Sequence, residues 1–489
     1  MNSFVVSIEC PLCGAPLDFS EGSNAVQCLH CRANLLVTGH KQALSYYIEP
    51  KIDKHLAVVA ALTALKNMGM DPVRVVEPVL YFVPYYRLTG HDFGWERPPC
   101  KPVEEDTDDD EGPSSGFKFS ATASFSILKG IAGNLFTGLG KEKDIDRLLF
   151  TVVNGSSSGP LSSSEVQLRD RYIEKNFTAC NLGGAGLYSI GVRAEVLKLK
   201  LFNSETLASL GKIVCSEVSP EEALAKGMKS EITGELLYRA VIGKILSIIY
   251  FPFWGVETEH RDKNLISVVD AVSRTVIKPD ADPSLKALLE SKAESGQNVA
   301  GFRPLLCPNC GWDLPVRPDD AVFICSSCNK GWQIYGNLLN EIDYRIGGLK
   351  NGGIQANARY LPFWVVETEK NGNPFKFFLP AFRYRRLKFL ADLAVNISRK
   401  QPEYTISDNK KNEILSGRFE GCYYDQEDAA LLACFVNAGL ELKKSNAKFA
   451  SETLQIKSAV LTWFPFAING SSLVDPFTGM SLTSALFCN

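Results

Sequence analysis

Two groups of four cysteines constrain this chain more tightly than any other feature: Cys10, Cys13, Cys28 and Cys31, then Cys307, Cys310, Cys325 and Cys328, each spaced C-x2-C-x14-C-x2-C. Two residues between cysteines let a tight knuckle aim both sulfurs at one point, and two knuckles complete a tetrahedron of thiolates. The first knuckle of each group is Cys-Pro-x-Cys-Gly, with Pro11 and Gly14 or Pro308 and Gly311. Proline presets the turn and glycine accepts the left-handed conformation that follows it. The spacer accommodates a short hairpin joining the knuckles. Tetrahedral sulfur suits zinc; iron in a rubredoxin-like site takes the same ligands, and zinc is favoured over it. Two structural Zn2+ are therefore expected, because a metal holding four thiolates has no open position for water or substrate.

Other readings of the cysteines fit less well. A dithiol redox motif does not explain two matched groups of four, and a disulfide framework conflicts with an intracellular chain. His30 stands beside Cys31, but the shell is already filled. The other six of the fourteen cysteines (Cys100, Cys180, Cys215, Cys422, Cys434 and Cys488) have no ligand spacing and read as buried spectators.

An aromatic-proline-aromatic signature recurs four times, at Tyr81 to Tyr86, Tyr250 to Trp254, Tyr360 to Trp364 and Trp463 to Phe466, around Pro84, Pro252, Pro362 and Pro465. Chain order pairs the first with the third and the second with the fourth, so each half runs ribbon, signature, signature. Flanking residues agree: Phe117-Lys-Phe119 answers Phe375-Lys-Phe377, and Val269-Asp270 to Arg274 answers Val474-Asp475 to Gly479. Each signature predicts a half-buried strand, with Trp254, Val256 and Thr258 alternating against Glu257 and Glu259, followed by a turn and a returning strand. Helices are predicted over His55 to Met68, after the capping box at Ser219 to Glu222, from Leu285 to Lys292, over Asp425 to Leu442, and more weakly over Ser162 to Phe177 and Leu387 to Ser398.

The expected fold is α+β, a tandem duplication of a four-cysteine zinc ribbon plus an antiparallel β-sheet with flanking helices. Its boundaries are ribbon 1 at 1–45, a first sheet domain at 46–300 with an acidic loop at 101–116, ribbon 2 at 301–335 and a second sheet domain at 336–489. These residues resemble a group of bacterial proteins in which a transcription-factor-like or rubredoxin-like zinc ribbon precedes sheets bearing Tyr-x-Pro-Phe-Trp strands and an Asn/Asp-x-x-Thr-Gly hairpin. The resemblance covers the ribbons closely and the hairpins loosely, and implies zinc at the eight named cysteines. Residues 140–235 have no counterpart in it.

Composition excludes several classes. At 45% apolar and 22% charged residues, the 489-residue chain is neither disordered throughout nor a coiled coil. Its start lacks the basic and apolar regions of a secretory signal, and no apolar run has the length of a spanning helix, so a cytoplasmic protein is expected. The net charge of −3 hides seven carboxylates between Glu104 and Glu111. Neither ribbon clusters Lys and Arg as a phosphate cradle would.

No catalytic constellation emerges. Gly183 to Gly186 lacks the context of a dinucleotide fingerprint, Gly133 to Lys141 lacks the Lys-Ser/Thr ending of a P-loop, and Glu257, Glu259 and His260 read as a solvated strand face. The glycine-rich stretch 126–140 reads as an apolar loop. One basic aromatic patch, Phe382 to Lys388, could stack and contact nucleic acid through Arg383, Tyr384, Arg385, Arg386 and Lys388. A strand with Phe382 and Tyr384 facing the core is the favoured reading. The functional expectation is a non-catalytic scaffold whose partner is another protein, with a nucleic-acid-associated protein as the alternative.

Overall fold

The computed structural model describes residues 4–39, 43–71, 73–97, 166–180, 182, 197–229, 235–261, 263–281, 284–290, 299–349, 357–370, 372–407, 418–442 and 454–487. The acidic loop 101–116, the stretch 126–140, Gly183 to Gly186, Cys100 and Cys488 lie outside them. Two compact units are distinguished: Met1–Glu96 with Gln167–Lys229 and Leu236–Asn489, and Arg97–Val166 with Ser230–Glu235. Of the second, only Arg97, Val166 and Glu235 are among the described residues. The first holds both four-cysteine groups.

The fold is mixed α+β. The chain opens with β1 (Val5–Glu9), β2 (Pro16–Ser20), β3 (Ala25–Gln27), β4 (Asn34–Thr38) and β5 (Leu44–Tyr47), then α1 (Lys54–Asn67), β6 (Arg74–Arg97), β7 (Gln167–Thr178), β8 (Lys198–Leu201), α2 (Ser204–Leu210), β9 (Lys212–Ile213) and α3 (Pro220–Met228). The long β10 (Glu235–His260) leads to β11 (Lys263–Asp270), β12 (Val276–Ala281) and α4 (Ser284–Leu289). The second half comprises β13 (Gly301–Pro304), β14 (Val322–Ile324), β15 (Gly331–Tyr335), β16 (Leu338–Ile342), β17 (Tyr344–Leu349), β18 (Ala358–Lys370), β19 (Asn373–Pro380), α5 (Leu387–Lys400), β20 (Tyr404–Ile406), α6 (Gln426–Leu442), β21 (Ile456–Asn469), β22 (Ser472–Val474) and β23 (Ser481–Thr483).

The larger sheet runs β12-β11-β10-β5-β8-β1-β2, with β6 also on β10; the smaller runs β19-β18-β21-β17-β20, with β22 also on β21. Both are mixed, not antiparallel as expected. β5 lies parallel to β10, and β17 parallel to β21. A parallel neighbour requires a crossover, and here a helix and further strands intervene before the chain returns. Alternation within a strand marks its buried face but not its partner.

Three of the four signatures perform one task, which is to dock the start of a helix. The carbonyls of Pro84, Pro252 and Pro362 accept the N–H of Ala179, Ala271 and Ala381 at 2.9, 3.1 and 2.9 Å. Each alanine carbonyl then accepts two successive N–H groups, from Glu217 and Val218, Lys51 and Ile52, or Tyr423 and Tyr424. The aromatic residue two past each proline donates to the carbonyl of the second of these: Tyr86 Oη to Val218, Trp254 Nε1 to Ile52 and Trp364 Nε1 to Tyr424, at 2.8, 3.1 and 2.9 Å. The next residue caps a helix. Ser219 caps α3 with the expected capping box, Asp53 caps α1 through the N–H of Leu56, and Asp425 accepts from the N–H of Asp428 at the start of α6.

Around Pro465 this arrangement cannot form. The residue after Asp475 is Pro476, which has no N–H, and Ala467 stands where the other signatures carry Tyr or Trp. Trp364 and Tyr424 are both buried, so Trp364→Phe leaves the Tyr424 carbonyl only the weak Cys422 thiol donor at 3.4 Å and should cost about 1–3 kcal/mol in a urea titration. A loss below about 0.5 kcal/mol, the scatter of neutral surface changes, would refute this docking role.

The aspartate turns after β11 and β22 also match. Asp270 donates its N–H to the Thr275 carbonyl and Asp475 to that of Met480. Their carboxylates accept from Val272 and Ser273 N–H, and from Phe477 and Thr478 N–H.

Two further expectations are corrected. The weak helix over Ser162 to Phe177 begins outside the described residues, and its part from Gln167 onward is β7 instead, because residues 167–178 pair with β6 along their whole length, from Tyr85↔Thr178 to Glu96↔Gln167. The strand over 382–388 is a loop bridged at Tyr384↔Phe487 that runs into α5, because hydrogen bonds from Tyr423 and Tyr424 cover the Ala381 carbonyl and turn the chain away from the sheet.

Candidate metal centres

In each cluster of four cysteines the sulfurs lie within 4.8 Å of one another. Closest pairs are Cys10–Cys31 at 3.9 Å and Cys13–Cys28 at 3.7 Å, then Cys307–Cys328 and Cys310–Cys325, both at 3.5 Å. With Zn–S near 2.3 Å, a tetrahedron has sulfur-to-sulfur edges of about 3.8 Å, so the donor set fits a tetrahedral metal.

The four knuckles share one backbone plan. Gly14, Arg32, Gly311 and Asn329 donate their N–H to the carbonyl of Cys10, Cys28, Cys307 and Cys325 at 2.8–2.9 Å. In return those four cysteines donate to Ala15, Ala33, Trp312 and Lys330. The residue following each knuckle takes positive φ, from 55° at Asn329 to 72° at Gly311. Gly14 and Gly311 were legible from their residue type; asparagine tolerates the left-handed conformation, so only Arg32 takes it against its ordinary preference. In all four, the first cysteine is buried and the second lies nearer the surface.

The hairpins differ from expectation. The spacers do not form them; instead a knuckle is itself the turn between β1 and β2, between β3 and β4, and between β14 and β15. Each of these three knuckles thus sits at the tip of a ladder that fixes its direction, while Cys307 to Cys310 is closed by the single bridge Leu306↔Asp313.

Crowded thiols share protons unequally. The backbone N–H of Cys31, and against burial that of His30, draw the Cys28 thiol down to about 6. Burial opposes the same trend at Cys328, where the N–H of Lys330 and the neighbouring thiols bring it to about 7. A metal ion arriving at such a cluster displaces the remaining protons, so its affinity falls with pH.

The two four-cysteine segments are also built into one another. β13 pairs antiparallel with β4, Asn34 Nδ2 donates to the Leu314 carbonyl at 2.9 Å, and Asn24 Nδ2 donates to that of Asp320 at 3.1 Å. Ala25 and Leu36 share a core with Leu305, Leu314, Phe323 and Trp332. No spacing rule signals this contact.

The basic aromatic patch is divided. Tyr384 is buried and its hydroxyl accepts the N–H of Thr483 at 3.1 Å; Arg383 pairs with Asp319 and lies 5.1 Å above the Tyr423 ring. Arg385, Arg386 and Lys388 are exposed. The carboxylates of the repeated Glu-Thr-Glu faces meet cations: Glu257 with Lys286 at 2.8 Å, and Glu367 with Lys376 at 3.1 Å.

Sequence reasoning missed a buried charge cluster. Asp92 on β6 is fully buried and meets Arg169 and Arg171 of β7 and Arg239 of β10. Its four members come from three separate stretches, each unremarkable alone. No helix among the described residues is long and apolar enough to cross a membrane.

No protein-family model, curated protein or solved structure matches this chain.

Proposed function

We propose that this protein is a non-catalytic, zinc-stabilised scaffold, cytoplasmic, made of two unequal copies of one ribbon-plus-sheet unit, the first over residues 1–300 and the second over 301–489. The observation that carries this reading is the closure of both four-thiol sites by the same knuckle geometry, while apolar side chains beside the knuckles stay in solvent. Leu29 is 79% and Trp312 61% exposed, with Leu12 and Leu306 also exposed. A closed metal shell supports structure, not chemistry, and uncovered apolar residues at rigid tips support contact with another protein.

Elemental analysis of the purified chain should find about two zinc ions per molecule. One or none, or iron in both sites, would overturn the metal assignment. The double substitution Leu29→Ser with Trp312→Ser should keep the zinc content and the melting temperature, yet lose partners that the unaltered chain retains in affinity purification. Equal retention would refute a role for the knuckles. Burial of Tyr384 disfavours the nucleic-acid alternative, since base stacking needs an open ring face.

A further inference from the structure

A cavity of about 280 Å³ lies between the second ribbon and the second sheet. Pro315, Val322 and Ile324 form one wall, and Phe419 and Trp463 the other. Its volume is at the low end for small-molecule sites, which suits a ligand of one or two rings.

The polar groups in this apolar surround are few and unequal. Glu420 is already committed, its carboxylate accepting from Arg359 Nε at 2.7 Å. Arg317 donates from Nη2 to the Phe419 carbonyl at 2.7 Å, and its Nε stands 3.9 Å from Asp320 Oδ2. Its side chain lines the cavity and is 45% exposed, and its fork has more donors than these two contacts use. Asp320 sits deeper. Burial, opposed by Arg317 and reinforced by Glu420 and Asp319, pushes its carboxyl up to about 8. Of the other groups facing it, Asp319 is paired with Arg383, and burial raises the Cys422 thiol well above its ordinary range. Near neutral pH the cavity therefore offers, beside the Ser326 hydroxyl and the paired Glu420, one guanidinium and one uncharged carboxylic acid between apolar walls.

We propose that this cavity binds a small monocarboxylate with a flat apolar body, its carboxylate taken by Arg317 and the Asp320 carboxyl and its body held against Phe419 and Trp463. A planar fork matches a carboxylate in a bidentate manner, and the protonated acid adds a donor where an ionised one would repel. The walls select for an apolar body because they present almost nothing else to bond.

The test is calorimetric titration of the full zinc-loaded chain with 2-naphthoate and with its neutral counterpart 2-naphthalenemethanol. At pH 7 naphthoate should bind saturably and at least about tenfold tighter than the alcohol, the size expected of one charge-assisted pair. Arg317→Gln should erase that difference while leaving the weak alcohol binding in place. Between pH 7 and 9 naphthoate affinity should fall several-fold as Asp320 ionises and engages Arg317, and Asp320→Asn should flatten this dependence. Absence of saturable naphthoate binding at millimolar concentration, or equal binding of acid and alcohol to the unaltered chain, would overturn the proposal. That comparison needs no variant, so a variant that failed to fold would leave the result decisive.

Discussion

Cys325→Ser should leave about one zinc per chain and unfold the second ribbon outright. Structural zinc contributes apparent free energies of about 10–16 kcal/mol in small metal-folded modules, which matches or exceeds the stability of a typical domain. The ribbon has few other resources. Cys307 and Cys325 are themselves core residues, packed with Leu305, Leu314, Phe323 and Trp332, so an empty site loses both the metal and the packing that it organises. The damage should also spread. Ala25 and Leu36 of the first ribbon belong to the same core, and β4 keeps only β3 as a ladder partner if β13 detaches. We therefore expect the remaining zinc at Cys10, Cys13, Cys28 and Cys31 to leave at lower chelator concentration than in the unaltered chain. Competition with a chromogenic chelator measures both effects. Two zinc ions retained would contradict the ligand assignment, and an unaltered first site would show that the ribbons are independent. Leu29→Ser is the control: exposed in the first ribbon's second knuckle, it should shift stability by no more than about 0.5 kcal/mol.

Legibility in the residues divides along a physical line. The knuckles were legible because thiolate chemistry, a tight turn and a left-handed residue all act within five positions. The helix start at Ser219 was legible for the same reason, since a cap bonds to an N–H within its own first turn; Asp53 and Asp425 bond in the same way but were not read as caps. The signatures were only half legible. Their strand character follows from aromatic and β-branched residues, but the docking of a distant helix start requires Trp364 to meet Tyr424, and local pattern carries no trace of such a pair. Residues 167–178 were misread because pairing to β6 outweighs local propensity. The cavity at Arg317 arises from segments about a hundred residues apart, where neither Arg317-Pro-Asp-Asp320 nor Phe419 to Cys422 is a motif.

Asp92→Asn should cost about 3–5 kcal/mol, the range found when one partner of a buried ionic cluster loses its charge. The carboxylate is fully buried on β6 and takes Arg171 Nε at 2.7 Å, Arg169 Nη2 at 3.3 Å, and Arg239 through Nε at 2.7 Å and Nη2 at 3.2 Å. Arg171 lies directly across the ladder from Asp92, so the pair is set by strand register and not by flexible side chains finding each other. Asparagine keeps the shape but leaves three guanidiniums facing one another without the charge that joined them. Arg169 keeps a longer contact with Glu96 at 3.6 Å, too distant to replace what is lost. Arg239 also donates to the Met228 carbonyl, so the cluster ties the end of α3 to the sheet and the loss should reach the helix that Tyr86 helps to dock. Added salt should not rescue the variant, because ions screen exposed charges and barely reach a buried one. Removing charge on both sides should recover part of the loss: Asp92→Asn combined with Arg239→Met should be more stable than the sum of the single changes, which urea titrations in a double-mutant cycle would measure. A single-variant loss below about 1 kcal/mol would mean that the guanidiniums reach solvent, contrary to side chains that are only 16% exposed at Arg169 and Arg239.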